Sequence, residues 1–556
     1  MMAKHWMAAA TLAFASAAPV LSADAAGLTL GALGRYDSGI RGNGAAEIVA
    51  HDPRTQSLFV INAAASSIDV LDIRDPAQPK LLRTLGETGG NANSIAVRDG
   101  LVAAVFAADN KTDPGKVVFY DARSLDKVLE FPVGALPDMV TFTPDGRGLL
   151  IANEGEPNSY GQADSVDPEG SITVVDLRPA RDCYNRQPSP RSFAAALQCV
   201  SDSGISLASL RHTVTFRSLN SRADELRAAG VRIYGPGASV AQDLEPEYIA
   251  VAPDSRTAWV TLQEANAAAV LDISDLARPR LNTLIPFGSK DHALPGNELD
   301  ASDRDNAINI RNWPVKGLYQ PDAIASYRVG GQTYYVTANE GDDRNDFIPG
   351  EETVRVRALG ADALDPAVFG DIESLRENVN LGRLTVTPAT APRNAAGQFT
   401  ELQALGGRSF SIWAADGRQV YDSGSDFERI TAARYPLTFN ASNDNNNFDD
   451  RSDNKGPEPE GVTLGVIDGR TYAFIGLERI GGVMVYDVTV PASPSFVDYV
   501  NTRDFTREPT GAAPTDNGPE GLAFISAANS PTGQPLLVVG NEVSGTTTIY
   551  AIAPLR

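Results

Sequence analysis

Short apolar runs separated by turn residues follow one another along most of the chain, and they recur as copies of one unit. The clearest copy starts at Glu245-Pro246-Glu247 and continues with a strand at 248–251, a turn at 253–256 and strands at 258–262 and 268–272. A fourth strand at 281–285 completes the unit. Four short antiparallel strands joined by tight turns are typical of one blade of a β-propeller.

The same unit occurs seven times, so the sequence predicts an all-β fold, a seven-bladed β-propeller with long loop insertions. The other six copies begin near Glu47, Ser94, Pro137, Pro321, Pro459 and Pro519. The fifth copy is interrupted, and its outer strands are expected far downstream, at 409–413 and 419–422. The seventh lacks an outer strand, and we predict that 28–36 supplies it, because closing the ring removes exposed sheet edges.

Three stretches do not follow the unit, at about 179–243, 288–318 and 341–456. The predicted organisation is therefore one propeller over residues 27–556 with three insertions. The 49 glycines and 36 prolines of the chain favour many short strands over long helices. Long insertions in a compact fold are functional or disordered, and we expect these to form walls or lids over one face.

The first 26 residues are typical of a signal peptide. Lys4 precedes an apolar stretch over 6–21, and Ala23-Asp24-Ala25 offers the small residues that signal peptidase reads. The apolar stretch is shorter than the roughly 20 residues that cross a bilayer, and no later segment approaches that length. We therefore predict a periplasmic or extracellular protein with no transmembrane segment in the mature chain.

Charge and cysteine usage narrow the classes of partner. A net charge of −23 repels nucleic acid and attracts cations, so nucleic-acid binding is excluded. Cys183 and Cys199 are the two cysteines. In an oxidising compartment such a pair is expected to form one local disulfide. A metal site at these cysteines is the alternative, and their spacing disfavours it.

The blade geometry gathers acidic residues at one mouth of the central channel. The residue that opens the first strand and the residue that ends the second strand of a blade meet at the same face. In five copies both positions are acidic: Asp138 with Glu154, Glu247 with Glu264, Asp322 with Glu340, Glu460 with Glu478, and Glu520 with Glu542. The first copy has Glu47 opposite Asn62, and the second opens with Ser94.

So many carboxylates raise one another's pKa and require a counter-charge. Carboxylates suit hard cations, Ca²⁺ first and Mn²⁺ or Mg²⁺ as alternatives, whereas four histidines make Zn²⁺ a poor choice. Glu542, with the longest spacing, is the weakest member of the set. For any single acid, an ordinary strand-capping role facing water stays open. The predicted metal ligands are Glu47, Asp138, Glu154, Glu247, Glu264, Asp322, Glu340, Glu460, Glu478 and Glu520.

Four further residues in the insertions are candidates for catalysis. Lys290, Arg311 and Arg344 are suited to holding a phosphate, and His292 to acting as a general acid. The loop from Asp444 to Asp453 has the composition of a calcium loop, but its spacing does not match an EF-hand. A disordered polar loop is an equally open interpretation.

Several phrases carry a family resemblance: Tyr36-Asp37-Ser38-Gly39, Ala45-Ala46-Glu47-Ile48-Val49, Leu136-Pro137-Asp138-Met139-Val140-Thr141-Phe142, Ala152-Asn153-Glu154-Gly155-Glu156-Pro157, Asp243-Leu244-Glu245-Pro246-Glu247-Tyr248, Ile308-Asn309-Ile310-Arg311-Asn312-Trp313-Pro314, Gly456-Pro457-Glu458-Pro459-Glu460-Gly461 and Gly540-Asn541-Glu542-Val543-Ser544-Gly545. They resemble the exported choice-of-anchor I family, which is related to mesenchyme-specific cell surface glycoproteins and to atypical cyanobacterial alkaline phosphatases. The resemblance implies a propeller with a phosphatase-like or mineral-associated role. The Pro-Glu-Gly strand openings are also similar to those of propeller phytases, which use calcium to hold phosphate.

Two functional hypotheses follow. The first is an exported, calcium-dependent phosphohydrolase of alkaline phosphatase or phytase-like type that acts on a small phosphate ester at the axial mouth. The alternative is a non-catalytic calcium-binding or adhesion propeller that binds a partner or a mineral or phosphate ligand. A quinone-dependent redox enzyme has less support, and the fold alone does not choose among them.

Overall fold

The computed structural model describes residues 27–554, apart from 43, 88, 189–190, 349 and 512–514. The predicted signal peptide, residues 1–26, lies outside the described residues.

The described residues form seven four-stranded antiparallel sheets, which we call blades one to seven in chain order. Blades one to three comprise Val49–Asp52, Ser57–Asn62, Ser67–Asp72 and Lys80–Gly86; Asn91–Arg98, Leu101–Ala107, Pro114–Asp121 and Lys127–Ala135; and Pro137–Phe142, Gly148–Asn153, Ser171–Asp176 and Arg211–Thr215. Blades four and five comprise Ile249–Val251, Thr257–Leu262, Ala267–Asp272 and Arg280–Pro286; and Ile324–Val329, Gln332–Asn339, Ser409–Ala414 and Gln419–Asp422. Blades six and seven comprise Pro459–Ile467, Arg470–Leu477, Val483–Asp487 and Ser495–Val500; and Pro519–Ile525, Leu536–Asn541, Thr546–Pro554 and Leu28–Asp37.

The first strands of neighbouring blades contact one another in chain order, and that of blade seven contacts that of blade one. The second strand of each blade is buried on both faces, because the neighbouring blades cover it; Ser57–Asn62 is buried at every residue. Such strands read as continuous apolar runs, whereas the outer strand Lys80–Gly86 is mostly exposed. The predicted all-β, propeller-type fold is confirmed.

Blade seven is built from both ends of the described chain. Leu28–Asp37 pairs antiparallel with Thr546–Pro554, from Leu28 opposite Pro554 to Asp37 opposite Thr546. Leu28 and Leu30 are buried in one cluster with Tyr550 and Ile552. The predicted closing strand is therefore confirmed.

The strands of blade five are separated by a long insertion. Asn339 at the end of the second strand pairs with Ser409 at the start of the third, as expected from the sequence. The intervening residues join part of 288–318 in a separate apolar core that includes Leu299, Trp313 and Leu381. A small sheet of Ser289–Asp291, Lys316–Leu318 and Gln403–Ala404, and a ladder of Val354–Arg355 with Thr385–Val386, belong to this region.

Blade three differs from the sequence prediction. Its fourth strand, Arg211–Thr215, lies within the stretch 179–243 that was predicted to be an insertion. The strand was missed because a helical hairpin, Arg178–Arg186 and Phe193–Asp202, separates it from the third strand. A disulfide between Cys183 and Cys199 joins the two helices, which confirms the predicted pairing.

The remaining helices are short. The α-helices are Ala223–Ala229, Val240–Asp243, Pro366–Phe369, Ile372–Leu375 and Asp426–Arg434. The 3-10 turns are Ala63–Ala65, Leu207–Leu210, Arg217–Arg222, Val356–Ala358, Ala361–Ala363 and Leu381–Arg383. Across the described residues, no helix combines the length and the apolar character needed to cross a membrane.

Candidate metal centre

The first strands of the blades bring side chains to the channel mouth at breaks in the strand register. In blade three the pairing passes from Pro137 opposite Asn153 to Met139 opposite Ala152, which leaves Asp138 out of the ladder. Similar breaks fall at Glu460 in blade six and Glu520 in blade seven. A β-bulge re-aims a side chain and ends regular pairing. The bulges therefore release these acids from the alternation of their strands.

The acids at the ends of the second strands are positioned by a different structural feature. In blades three, five and seven the last strand residue is a buried asparagine, and the acid follows it directly. The amide of Asn153 donates to Thr173 Oγ1 at 3.0 Å, and that of Asn339 donates to Ser411 Oγ at 2.9 Å. These bonds fix the strand end to the third strand, so the position of the following acid is defined by the blade.

Three carboxylates from blades one and seven form the first cluster, which we call cluster A. It consists of Glu47, Glu520 and Glu542, and one oxygen from each lies within 4.8 Å of the others. Glu520 Oε2 is buried without a hydrogen-bond partner. Burial, followed by the charges of Glu542 and Asp138, raises the pKa of Glu47 to about 8. Within the part of the chain that the structure describes, no lysine or arginine forms an ion pair with the carboxylates of cluster A.

Cluster B consists of Asp322, Glu340 and Glu460, with the same spacing limit of 4.8 Å. Glu340 is partnered: it accepts a hydrogen bond from Gln263 Nε2 at 2.9 Å and pairs with Lys455 Nζ at 2.8 Å. Burial and then the neighbouring acids raise the pKa values of Asp322 and Glu460 well above their usual range. Glu460 Oε2 is buried and unpartnered. Cluster B is therefore only partly neutralised by the protein.

Cluster C consists of Glu340, Glu458 and Glu478. Lysine and arginine side chains form ion pairs with it. Glu458 is fully buried and pairs with Lys455 at 3.0 Å, Arg479 at 2.9 Å and also Arg451. Although burial acts in the opposite direction, these cations hold the pKa of Glu458 well below its usual range. Because its charge is already compensated, cluster C is a poor place for a metal ion.

The other acids connect clusters A and B. Burial and then the charges of Glu264, Asp322 and Glu154 raise the pKa of Glu247 well above its usual range. Burial, followed by the charge of Glu156, raises the pKa of Asp138 to about 6. Burial raises the pKa of Glu264 to about 6, although Arg344 opposes this. Glu247 Oε2 and Glu264 Oε2 are both buried without partners.

All ten predicted acids therefore lie in one electrostatically connected group at the channel mouth, which we call the acidic funnel together with Glu542 and Glu458. Their proximity follows from the clusters and from the mutual charge effects of Asp138, Glu154, Glu247 and Glu264. Their role as metal ligands stays a prediction.

The acidic funnel contains a cavity beside blade two, where the positions that carry acids in other blades are not acidic. A cavity of about 420 Å³ lies between the acids of cluster A and blade two, lined by Glu47, Ala63, Ala64, Asn91, Asn93, Asp138 and Glu520. Asn93 occupies the register break of blade two, as Asp138 does in blade three. The small alanines and neutral amides leave room that acids fill in the other blades.

Two positional assignments made from the sequence are wrong. Asn62 is not the position that corresponds to the second-strand acids, because in blades three, five and seven those acids follow a strand-ending asparagine; Ala63 takes that place and lines the cavity with Ala64, while Asn62 Oδ1 accepts a hydrogen bond from Ala65 N. Ser94 does not open blade two at the mouth, because it is buried one residue beyond the break and accepts from Val140 N. A bulge shifts the position by one residue, and the apolar pattern does not reveal it.

The contacts of two predicted catalytic residues disfavour their assigned role. Lys290 is buried, and its amino group donates to the carbonyls of Gly407 and Gly424 and pairs with Asp422 at 3.0 Å. Its three donors are thereby used. His292 is also buried, with Nδ1 2.6 Å from the carbonyl of Asn297, and burial lowers its pKa well below the usual range. Lys290 therefore holds the first insertion against blade five, whereas the hydrogen bonds of His292 lie within that insertion.

The two predicted arginines differ from each other. Arg311 lies over the Trp313 ring at 3.8 Å and donates to Asn380 Oδ1 at 2.6 Å, within the insertion. Arg344 is fully buried, pairs with Asp243 and Glu245, and adjoins the funnel through its charge effect on Glu264. Its guanidinium is already committed to carboxylates, which disfavours phosphate binding by this residue.

Sequence reasoning missed the cations of the funnel and undervalued one acid. Lys455 lies just after a loop whose composition suggested disorder, and Glu458 stands within Glu458-Pro459-Glu460, where the repeat rule selected only Glu460. Glu542 was set aside because of its longer spacing, yet it belongs to cluster A. The extra residues lie in a longer turn between Ile525 and Leu536, which does not move the strand ends.

Comparison with known proteins identifies a family and several similar proteins. A family model described as the choice-of-anchor I domain matches residues 47–491. Gigasin-3a of Magallana gigas is 31% identical over 196 residues, which cover 33% of this chain and 69% of that protein. The mesenchyme-specific cell surface glycoprotein of Strongylocentrotus purpuratus is 26% identical over 239 residues, 37% of this chain but only 30% of that protein.

Among solved structures, Kuenenia stuttgartiensis hydrazine synthase matches with a TM-score of 0.44 and 13% identity, covering 94% of this chain and 100% of that chain. A likeness at this level has no bearing on function. The family match, in contrast, extends over blades one to five and the first three strands of blade six. The chain belongs to the choice-of-anchor I family.

Proposed function

We propose that this protein is an exported propeller that binds divalent cations, calcium foremost, in the acidic funnel. Cluster A is the observation that carries the proposal. Its three carboxylates approach within 4.8 Å, Glu520 Oε2 is buried and unpartnered, and none of the three forms an ion pair with another described residue. A divalent cation would supply the charge and the bonding partner that this group lacks.

The chemistry of the donors supports a hard cation. The three clusters contain only carboxylates, without histidine or cysteine. Oxygen ligands of this kind suit Ca²⁺, Mg²⁺ and Mn²⁺, and the several oxygens from separate blades suit the larger coordination number of Ca²⁺. Within this proposal Asp138, Glu247 and Glu264 provide further oxygens between clusters A and B.

Export is supported by two observations. The Cys183–Cys199 disulfide fits an oxidising compartment. One protein to which part of this chain is similar is named a cell surface glycoprotein. The proposal therefore places the cation site in the periplasm or outside the cell, where calcium binding sites of modest affinity are filled.

Phosphoester hydrolysis is the second candidate, and the cavity beside cluster A favours it. A divalent ion there would act as a Lewis acid and lower the pKa of a bound water. The amides of Asn91 and Asn93 line the same cavity and offer neutral donors to a substrate oxygen. The described residues lining the cavity include no arginine or lysine, so binding of a phosphate would depend on the ion.

Calorimetric titration of chelator-treated protein with Ca²⁺ and Mg²⁺ tests the main proposal. We expect Glu520→Gln to weaken calcium binding by about tenfold or more, since it removes one charged ligand without changing its shape. Glu130→Gln, at a side chain 46% exposed on an outer strand, is the matched control and should bind as the wild type does. Absence of calcium binding by the wild type, or equal affinity in Glu520→Gln, would contradict the proposal.

Hydrolysis is tested separately with p-nitrophenyl phosphate and its bis-ester. The second candidate requires turnover that is lost on chelation, restored by Ca²⁺ and reduced in Glu520→Gln. Calcium binding without turnover of either ester, under Ca²⁺, Mg²⁺ or Mn²⁺, would leave the non-catalytic binding protein.

A further inference from the structure

A second group of buried acids lies outside the funnel, where the two insertions meet blade five. Asp300 comes from the first insertion and Glu428 from the helix Asp426–Arg434. Asn440 lies between that helix and the Asp/Asn-rich loop, and Asp449 lies within the loop. Their exposed fractions are 0%, 2%, 0% and 1%. The interior of an insertion is an unusual place for three carboxylates, because burying a charge without a partner is costly.

Hydrogen bonds tie this group together. Asn440 Nδ2 donates to Glu428 Oε1 at 3.0 Å and to Ser452 Oγ at 2.8 Å. Ser452 Oγ donates in turn to Asp449 Oδ1. The backbone N–H of Asp300 donates to Glu428 Oε2 at 3.2 Å. The backbone of Asp300 and the side chains of Glu428, Asn440, Ser452 and Asp449 therefore belong to one hydrogen-bonded network.

Two oxygen atoms of the group have no partner. Asn440 Oδ1 and Asp449 Oδ2 are buried and accept no hydrogen bond. Asn440 is neutral, so this orphaned oxygen is an observation separate from the clustering of acids. Its amide nitrogen is bonded within the group, which places the orphaned oxygen beside the same side chains. Buried polar atoms are almost always satisfied, and such an exception calls for an unseen ligand.

The charges of the group point to the same kind of ligand. Arg408 Nη1 pairs with Glu428 Oε1 at 2.6 Å and also donates to the carbonyl of Asp300 at 2.7 Å. Arg408 thus pairs with the carboxylate of Glu428, whereas Asp300 and Asp449 form no ion pair with another described residue. A divalent cation carries the missing charge.

We propose that Asp300, Asn440 and Asp449 bind a structural divalent cation, calcium by its preference for carboxylate and amide oxygens, that fastens the two insertions to each other. In the metal-free protein, burial and then the charge of Asp300 raise the pKa of Asp449 to about 8. Burial, with Glu428 adding to it, raises the pKa of Asp300 to about 7.

The site is connected to the funnel through the chain. Arg451 N donates to the carbonyl of Asn440 at 2.8 Å, and Arg451 and Lys455, two and six residues after Asp449, both pair with Glu458 in cluster C. A cation at Asp449 would therefore hold the loop that delivers two cations to the acidic funnel. The inference does not depend on whether the funnel itself binds metal.

Calcium stoichiometry of the full-length protein tests the proposal. We expect Asp449→Asn to lose one calcium per chain at pH 8 while the funnel site persists, and Glu520→Gln to lose the funnel site while this one persists. Asp444→Asn changes an exposed acid of the same loop and should keep the wild-type count. Unchanged stoichiometry in a folded Asp449→Asn would overturn the proposal.

A crystal of the wild type soaked with Tb³⁺ gives an independent answer that does not depend on a variant. The expected result is an anomalous peak bonded to Asp449 Oδ2 and Asn440 Oδ1. Occupied peaks in the funnel without one at Asp449 would overturn this inference and leave the proposed function standing.

Discussion

Lys455 supplies a positive charge inside the acidic funnel. Its side chain is 10% exposed and reaches Glu340 and Glu458 at 2.8 and 3.0 Å. Burial opposes its charge, yet the surrounding acids raise the pKa of Lys455 well above its usual range. A buried ion pair is costly to break because the remaining charge has no partner. Lys455 therefore contributes to the neutralisation of cluster C, and it does not pair with the carboxylates of cluster A.

Replacing this lysine should make the protein depend on added cations. We expect Lys455→Gln to lower the free energy of unfolding of the metal-free protein by about 3–5 kcal/mol. Calcium should then raise the melting temperature of the variant more than that of the wild type, since cluster C becomes available. Lys127→Gln removes a lysine 39% exposed in a surface pair and should cost no more than about 1 kcal/mol. Equal losses in the two variants, measured by denaturant unfolding, would contradict this account.

The sequence predicted most of the acids of the funnel, but it did not predict the neutral and basic residues that lie among them. The repeat rule selected the ten funnel acids because the ends of strands are defined by the apolar pattern. It missed Asn93, because a bulge moves the position by one residue, and Lys455, because a polar loop carries no periodicity. It also assigned catalysis to Lys290, whose burial against Gly407 and Asp422 arises from long-range packing.

At the level of elements, the outer strand Leu28–Asp37 covers the edge of Thr546–Pro554. Leu30 is 6% exposed and packs in the cluster shared with Tyr550, whereas Leu33 is 37% exposed on the same strand. An uncovered edge would present unpaired N–H and C=O groups to other chains.

This strand offers a matched pair of substitutions. We expect Leu30→Ala to reduce the free energy of unfolding by about 2–3 kcal/mol, because it leaves a cavity between the strand and Tyr550. Leu33→Ala should change it by less than about 0.5 kcal/mol. Both values are read from denaturant unfolding curves. If Leu30→Ala were as stable as Leu33→Ala, the strand would not be a structural part of blade seven.

The strands of the repeat were predictable because second and third strands are buried on both faces and read as apolar runs. The fourth strand of blade three was not, since Arg211–Thr215 is short, mostly polar and separated by a helical hairpin. The interrupted blade five was predicted because its third strand, Ser409–Ala414, keeps the apolar character of a buried strand.

On the scale of the whole molecule, the funnel concentrates negative charge that the metal-free protein reduces by holding protons. Burial and neighbouring acids raise the pKa of Glu47 from 4.5 to about 8, and those of Glu154, Glu247 and Glu520 also rise. The folded state then binds more protons than the unfolded state between those two pH values. Stability from these groups is present below about 4.5 and is lost as the pH rises through 8.

Melting temperatures across this pH range check the sign. After removal of divalent ions, we expect the melting temperature to fall by several degrees between pH 5 and pH 8, and calcium to restore more stability at pH 8 than at pH 5. Glu47→Gln should show a shallower fall, since the amide does not titrate. A melting temperature that rises with pH in the metal-free wild type would contradict the raised pKa values.

Pairing of Leu28 with Pro554 joins residues more than 500 positions apart in the chain. During synthesis, six blades can assemble while the seventh waits for its last strand, so closure is the final step of folding rather than an early one. Until then the nascent ring keeps two open edges, at blade one and at the growing end. A chaperone that shields strand edges would have its longest opportunity in that interval, and a nonsense mutation between Pro519 and Pro554 would leave the ring open.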